Sequence, residues 1–267
     1  MYKSQSYGVC AMERYRKPSG IRFKRVVFCI VMIAAANVPF YAWPQTAEVV
    51  DKIVIPGIKL DGVAWDGENI WVVTYESSPI KWQIARVGEG GALEFAFTVP
   101  VDSLDDVHNF GMSNITSDGD TLWANHWNAG LIYRFDKEGN VLKSFGVPSV
   151  NQLIPVGIAW DGEYLHVLHW SDKNLYTLDT EGGEIGKLSL KKLRPPADMG
   201  LAWDGKNFWV GSSGANRITR MTPEGEVTGF IKGPRASGGI RDLDWDGENM
   251  LVVYQQDNTI YKVHVKE

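Results

Sequence analysis

Short runs of β-forming residues alternate with turn-forming pairs along most of the chain. In residues 156–168, two apolar segments flank Asp161, Gly162 and Glu163. Asp-Gly between two such segments is a strong hairpin signal, because the turn requires positive φ. A third segment follows at residues 174–179, and a fourth at residues 184–190 after a Gly-rich turn. The pattern predicts four antiparallel strands in this unit.

The four-strand unit recurs five times along the chain. Its marker ends in Asp-Gly, and the steps between successive markers are 52, 43, 43 and 42 residues. Repeats of this length are typical of small sheets arranged radially beside copies of themselves. We therefore predict an all-β fold, a five-bladed β-propeller of four-stranded antiparallel blades. The marker aspartates are Asp66, Asp118, Asp161, Asp204 and Asp246.

The fifth repeat stops at Val265, after its third strand. Its missing strand is expected at the other end of the domain, where residues 48–56 match residues 226–234 at Glu, Val, Ile and Pro. An N-terminal strand would then complete the last blade and close the ring. The recurrent tryptophans are expected to pack between blades, where large side chains gain most from burial. These are Trp65, Trp71, Trp123, Trp160, Trp203, Trp209 and Trp245.

The N-terminal region has a different pattern. Basic residues precede an apolar run at residues 26–38, which ends in prolines. This order is typical of a secretory signal, and the run is short for a membrane helix, which needs about 20 apolar residues. We expect residues 1–47 to be a signal peptide, cleaved after Ala42 or Ala47, or a retained membrane anchor. Residues 48–267 would form the propeller, exported to the periplasm or the extracellular space.

The charge balance limits the kinds of partner. Residues 48–267 hold 20 basic and 31 acidic residues, a net charge of −11. An acidic domain is poorly suited to nucleic acid, so we expect none as a partner. Both cysteines, Cys10 and Cys29, lie upstream of the repeats, which excludes a disulfide within the propeller. The expected partners are a small molecule or a peptide, with a protein partner as an alternative and a membrane only if the N-terminal segment is retained.

The two faces of the predicted disc differ in regularity. Turns between first and second strands, and between third and fourth, share one face and have nearly the same sequence in each repeat. The other face carries irregular loops, and loops on a rigid scaffold commonly hold binding and catalytic residues. Candidate ligand-binding residues on this irregular face are Asp61, His108, Asn114, His126, Trp127, His169, Trp170, Asp198, Arg241 and Asp242.

Some of these residues begin first strands and are expected near the propeller axis. Oxygen ligands such as those of Asp61, Asn114, Asp198 and Asp242 suit a hard cation, so Ca²⁺ is a possible cofactor, with Asp61 and Asp242 as candidate metal ligands. The alternative is that these residues cap strand ends and stay solvated without metal. No other cofactor is expected.

The second repeat resembles a known family. Phe-Gly-Met-Ser-Asn-Ile-Thr at residues 110–116 and Leu-Trp-Ala-Asn-His-Trp at residues 122–127 resemble F-G-E-G-I-T and L-Y-x-L-T-W in plant and bacterial glutamine cyclotransferases. Residues 216–229 are similar to the N-R-I-x-R-I-D-P-x-T-G-x-V-x-G run of that family. The resemblance spans residues 48–267 and implies a five-bladed propeller that converts N-terminal glutamine to pyroglutamate with release of ammonia.

The chain departs from the family at the acidic motif positions. Asp61 stands where the family's F-T-Q-G has Gln, and the acidic residue of F-G-E-G falls on Met112 or Ser113. The family's N-E-L-E-W aligns with residues 199–203, which contain neither glutamate.

One acidic residue of the family motifs has a counterpart in this chain. Glu76 lies in a Tyr-Glu-Ser segment like that of the family, and the resemblance makes it the candidate acid/base, with Trp127 and Trp170 as pocket walls. Three functions stay open: a binding protein for a small molecule or peptide end, an active aminoacyltransferase, and a protein-interaction scaffold. The axial acids add a fourth, a gluconolactonase-like metal hydrolase.

Overall fold

The computed structural model describes residues 44–77, 80–99, 111–147, 154–197, 199–254 and 257–266. These residues form five four-stranded antiparallel sheets, which confirms the predicted five-bladed propeller. Within the described ranges there is no α-helix, and the only helical element is a 3₁₀ turn at Glu89–Gly91. None of the described residues belongs to a helix that is long and apolar enough to cross a membrane.

The strands follow the chain blade by blade, except for β1 (Ala47–Val54). Blade one contains β2 (Lys59–Trp65), β3 (Ile70–Ser77), β4 (Ile80–Val87) and β5 (Leu93–Thr98). Blade two contains β6 (Met112–Ser117), β7 (Leu122–His126), β8 (Leu131–Phe135) and β9 (Val141–Gly146). Blade three contains β10 (Pro155–Trp160), β11 (Leu165–His169), β12 (Asn174–Leu178) and β13 (Glu184–Ser189).

The last two blades complete the ring. Blade four contains β14 (Met199–Trp203), β15 (Phe208–Ser212), β16 (Arg217–Met221) and β17 (Val227–Lys232). Blade five contains β18 (Ile240–Trp245), β19 (Met250–Tyr254) and β20 (Thr259–Val265), and its fourth strand is β1. The first strand of each blade lies against the first strands of both neighbouring blades, including β18 against β2.

The N-terminal strand closes the ring as predicted. β1 pairs antiparallel with β20 from Ala47 opposite Val265 to Val54 opposite Thr259. Just upstream, the Gln45 amide donates to the carbonyl oxygen of Phe230 in blade four, at 2.8 Å. Blades four and five are therefore joined by the same short segment.

The repeated Asp-Gly marker fixes a turn and a large side chain together. In blade one, Asp66 accepts the amides of Glu68 and Asn69 through one carboxylate oxygen and the indole N–H of Trp71 through the other. The same indole contact joins Trp123 to Asp118 at 3.0 Å and Trp209 to Asp204 at 2.7 Å. These three tryptophans are almost completely buried between blades, which confirms their predicted packing role.

A second aspartate of the fifth repeat joins the last blade to the first. Asp244, in β18, accepts the amide of Trp65 in β2 at 2.6 Å. Burial raises the pKa of Asp244 to about 7, against the opposing effect of its hydrogen bonds from the Trp65 and Trp245 amides. The corresponding position in the other repeats carries Ala64, Thr116, Ala159 and Ala202. Asp244 therefore serves a contact specific to the seam between the last blade and the first.

Removing residues 48–56 should abolish cooperative thermal unfolding, because it deletes β1 and exposes the edge of β20. It also removes Ile55, which is buried and whose amide donates to the carbonyl oxygen of Asn258. Circular dichroism against temperature measures the effect. Val50→Ser, at an exposed position of the same strand, is the matched control and should leave the transition intact. An unchanged melting temperature in the truncated chain would refute this closure.

Asp244→Asn should reduce the loss of stability as pH rises. An unfolded aspartate loses its proton near pH 4, whereas native Asp244 keeps it up to about pH 7. The wild-type chain therefore loses stability between these two pH values, by at most about 1.4 kcal/mol per pH unit for this one group. Asparagine removes this contribution and can still accept the Trp65 amide, so the variant should gain relative to wild type at pH 7 and not at pH 4.

Urea unfolding at several pH values measures this difference. Asp246→Asn is the control with the opposite sign. Burial opposes ionisation of Asp246, but its hydrogen bonds with Lys262 and the turn amides outweigh burial and lower its pKa. That variant should lose stability at neutral pH. Parallel pH profiles for wild type and Asp244→Asn would contradict the role assigned to the buried carboxyl.

Candidate functional site

An irregularity in every first strand shapes the axial end of the irregular face. Each first strand shifts its register against the second strand just before the repeated motif. Such bulges redirect side chains and often lie beside functional sites. In blade one the shift falls at Asp61, and in blade five it falls at Arg241. Two charged residues are thus placed at corresponding positions of adjacent blades.

Asp61 and Arg241 form an ion pair at this position. The Arg241 Nε atom lies 2.9 Å from Asp61 Oδ1, and the Arg241 side chain is almost buried. The guanidinium also lies 4.9 Å from the centre of the Trp127 ring, and Arg241 Nη1 lies 3.9 Å from Met199 Sδ. Trp127 and Met199 are partly exposed. We refer to Asp61, Trp127, Met199 and Arg241 as the axial mouth.

The charges of the axial mouth are in a poorly solvated setting. Burial raises the pKa of Asp61, and the nearby Arg241 guanidinium offsets this effect only in part. Removing two charges from water costs free energy that their mutual attraction need not recover. The Asp61 side chain retains 13% exposure, so it is accessible from the irregular face.

Asp242 lies beside the axial mouth, fully buried on the axis. Its Oδ2 atom accepts the amides of Val63 in blade one, at 3.1 Å, and Ile115 in blade two, at 3.2 Å. Its Oδ1 atom accepts the Asn114 side-chain amide at 2.8 Å. Burial raises the pKa of Asp242 well above its usual range despite these donors. One carboxyl group therefore joins three blades.

The space around Asp242 requires small residues in the other blades. The position of Asn114 and Asp242 is occupied by Gly62, Gly157 and Gly200 in the remaining repeats. A Cβ atom at Gly62 would lie 2.5 Å from the carbonyl oxygen of Ser113, which is closer than van der Waals contact allows. Two side chains and three glycines therefore share the crowded centre of the ring.

Asn114 extends the network toward blade three. Its side-chain amide donates to the carbonyl oxygen of Arg241 as well as to Asp242, and its backbone amide donates to Asn125 Oδ1 at 2.7 Å. Asn125 in turn donates to the carbonyl oxygen of Pro155 in blade three, at 2.6 Å. The axial mouth is thus supported by side-chain and backbone hydrogen bonds across several blades.

The two described candidate histidines are bonded to loop residues of their own blades. Because His169 Nε2 accepts the Ile154 amide, at 3.1 Å, its Nδ1 carries the proton and donates to Asp172 at 2.8 Å. His169 is fully buried. His126 Nδ1 accepts the Ala129 amide at 3.1 Å, and burial lowers the pKa of His126. These contacts stabilise the conformations of the loops that follow His126 and His169.

The remaining candidates lie apart from this network or outside the described residues. Trp170 is 45% exposed, and the Lys173 ammonium lies 5.0 Å from its ring centre. Glu76 is exposed near the end of β3, in register with Lys81 of β4. His108 and Asp198 lie outside the described residues.

The groups that surround the axial carboxylates are hydrogen-bond donors, and they do not suit a cation. Both oxygens of Asp242 accept N–H groups, and Asp61 faces a guanidinium. In the part of the chain that the structure describes, no three His, Cys, Asp or Glu side chains form a group able to hold a metal ion. Calcium binding gains no support from these two residues and stays a prediction from the sequence.

Four further residues of this region were not among the sequence candidates. Met199 contacts Arg241, Ser113 and Asn125 belong to the buried network, and Asp244 lies at the seam. Alignment of the five repeats could have identified Asp244, because the other repeats have alanine or threonine where the fifth has this aspartate. The contact of Met199 carries no such signal, because its partner Arg241 lies 42 residues away in the sequence.

Comparisons with known proteins agree with the fold. No family model and no curated protein sequence matches the chain. Its fold is similar to glutaminyl cyclase from Myxococcus xanthus, with a TM-score of 0.67 and 12% identity over 85% of this chain and 100% of that chain. It is also similar to virginiamycin B lyase from Staphylococcus aureus, with a TM-score of 0.51 and 12% identity over 83% and 100% of the two chains.

A third similar structure is a chain of a nidogen/laminin complex, with a TM-score of 0.50 and 19% identity over 73% of this chain and 72% of that chain. Similarity at these identities is evidence for fold and not for activity. The chain therefore has a propeller fold like that of the glutaminyl cyclase and the virginiamycin B lyase.

Proposed function

We propose that the propeller binds a small molecule or the end of a peptide at the axial mouth. The observation that carries this proposal is the ion pair of Asp61 and Arg241, with the guanidinium beside the partly exposed Trp127. A nearly buried ion pair is a weak source of stability compared with apolar packing. Its presence on the irregular face is better explained by recognition of a ligand than by folding.

The chemistry of the axial mouth suggests the kind of group it binds. Asp61 offers a hydrogen-bond acceptor, Arg241 offers N–H donors, and Trp127 offers an apolar ring. A small chemical group that carries both an N–H donor and a carbonyl oxygen can bond to Asp61 through the N–H and to Arg241 through the oxygen. Primary amides and peptide ends have this composition, so we favour them over purely apolar or polyanionic ligands.

Trp127→Leu should weaken binding of a short peptide with N-terminal glutamine by about tenfold, because it removes an aromatic contact worth roughly 1 kcal/mol and part of its apolar area. Isothermal titration calorimetry on the full chain measures the affinity. Phe95→Leu, on the outer strand of blade one, is the matched control and should bind as wild type does. No saturable binding by the wild-type chain would overturn the proposal for this ligand class and favour the scaffold.

A second function, glutaminyl-peptide cyclotransferase activity, is favoured by the similarity to glutaminyl cyclase along that protein's whole chain. In this reaction the α-amine nitrogen of an N-terminal glutamine attacks its side-chain amide carbon, and ammonia leaves. A group that accepts the amine proton and one that protonates the leaving nitrogen are required. Glu76 is the candidate acid/base for these proton transfers. Asp61 is the other acidic residue considered, because it lies at the axial mouth.

Incubation of the full chain with an N-terminal glutamine peptide tests the enzyme function. If Glu76 is the acid/base, ammonia should be released, and Glu76→Gln should lower the rate by at least about a hundredfold, the usual contribution of such a group. Glu68→Gln, an exposed glutamate of the opposite face, is the control and should be fully active. No ammonia above background from the wild type would remove the enzyme function for this substrate, and full activity of Glu76→Gln would clear Glu76 of the role.

A further inference from the structure

Three of the five repeats place a tryptophan and an arginine opposite each other on the second and third strands. Trp71 faces Arg86, Trp123 faces Arg134 and Trp209 faces Arg220 in the registers of blades one, two and four. In blade five the same positions hold Leu251 and Lys262. In blade three they hold His166 and Thr177, which are smaller.

His166 keeps one contact of the tryptophan it replaces and adds another. Its Nε2 atom lies 2.7 Å from Asp161 Oδ2, as the indole nitrogens lie near their turn aspartates. Its Nδ1 atom lies 3.2 Å from Thr177 Oγ1. Because Nε2–H donates a hydrogen bond to Asp161, Nδ1 of the neutral ring accepts one from the Thr177 hydroxyl group. The lone pairs of Thr177 Oγ1 then remain available to another donor.

These residues line a groove between blades three and four. The groove has a volume of about 340 Å³, and its apolar walls are Leu175 and Leu188 on one side and Trp203, Phe208 and Pro223 on the other. Thr177 is partly exposed in it. Opposite Thr177 in register stands Gly186, where an added Cβ would meet nothing within 4 Å. The groove is therefore open beside the hydroxyl group.

We propose that this groove binds a small planar aromatic molecule that carries one N–H or O–H donor, such as indole or phenol. The volume lies at the lower end of the range of ligand pockets, and five apolar side chains share the lining with Asp161, His166, Thr177 and Lys187. Three other blades hold an indole at the position of His166, so the local backbone suits a flat ring. The site lies apart from the axial mouth and does not rest on the function proposed for it.

The groove contains charged side chains of both signs, Asp161 and Lys187, beside His166. Burial lowers the pKa of His166, and the contact with Asp161 only partly opposes this, so the ring is neutral near pH 7. Burial opposes ionisation of Asp161 as well, but its hydrogen bonds from His166 and the turn amides outweigh burial and lower its pKa. Because the Asp161 carboxylate and the Lys187 ammonium have opposite signs, the groove carries no net charge that would favour an ionic ligand over a neutral one.

Titration of the full chain with indole and with 1-methylindole tests the proposal. The two probes have nearly the same ring, and only indole has an N–H donor. We expect saturable binding of indole, and binding of 1-methylindole that is weaker by about fivefold, the usual effect of one hydrogen bond. Thr177→Val should remove this difference between the probes. Indole binding that does not saturate, or equal affinities in the wild type, would overturn the proposal.

Two variants locate the bound indole. His166→Trp introduces the side chain of the other blades, should keep the contact with Asp161, and should abolish binding by occupying the groove. Thr228→Val changes a threonine in the groove between blades four and five and should leave indole affinity unchanged. Trp127→Leu, at the axial mouth, should also have no effect. Undiminished binding in folded His166→Trp, or loss in Trp127→Leu, would assign the indole to another site and refute the proposal. Should His166→Trp fail to fold, the Thr177→Val comparison decides.

Discussion

The carboxyl group of Asp242 joins three blades at the axis, and the arrangement of the ring around it depends on this contact. First strands of a propeller converge there, where space is least and backbone amides need acceptors. Asp242 accepts two of these amides and the Asn114 side chain, while glycine occupies the corresponding position of the other three blades. A buried acid is costly unless it is fully hydrogen-bonded, so the position tolerates little change.

The fold follows from local rules that the sequence displays. Asp-Gly turns and alternating β-forming segments act over a few residues, and three of the five marker aspartates accept a hydrogen bond from a tryptophan only five positions away. Strand β1 was predictable because residues 48–56 repeat the pattern of an outer strand. These features do not require knowledge of distant contacts.

The candidate site was only partly predictable, because its contacts join residues far apart in sequence. Asp61, Trp127 and Arg241 were predicted individually, but the register shifts that bring them together depend on the pairing of three blades. His169 has a residue type suited to a site, yet both of its ring nitrogens are already bonded, one to the Ile154 amide just before β10 and the other to Asp172. Residue type gives the chemistry that is available, and the loop conformation decides whether it is free for a ligand.

The pairing of β1 with β20 also sets an order of folding events. β1 is synthesised before every other strand of the propeller and its partner β20 after every other strand. Contacts between distant parts of a chain form slowly because the intervening loop must close first. Until β20 is synthesised, β1 has no partner and blade five cannot be completed. A chain that stalls before β20 presents unpaired strand edges, which favour association with another copy over completion of the ring.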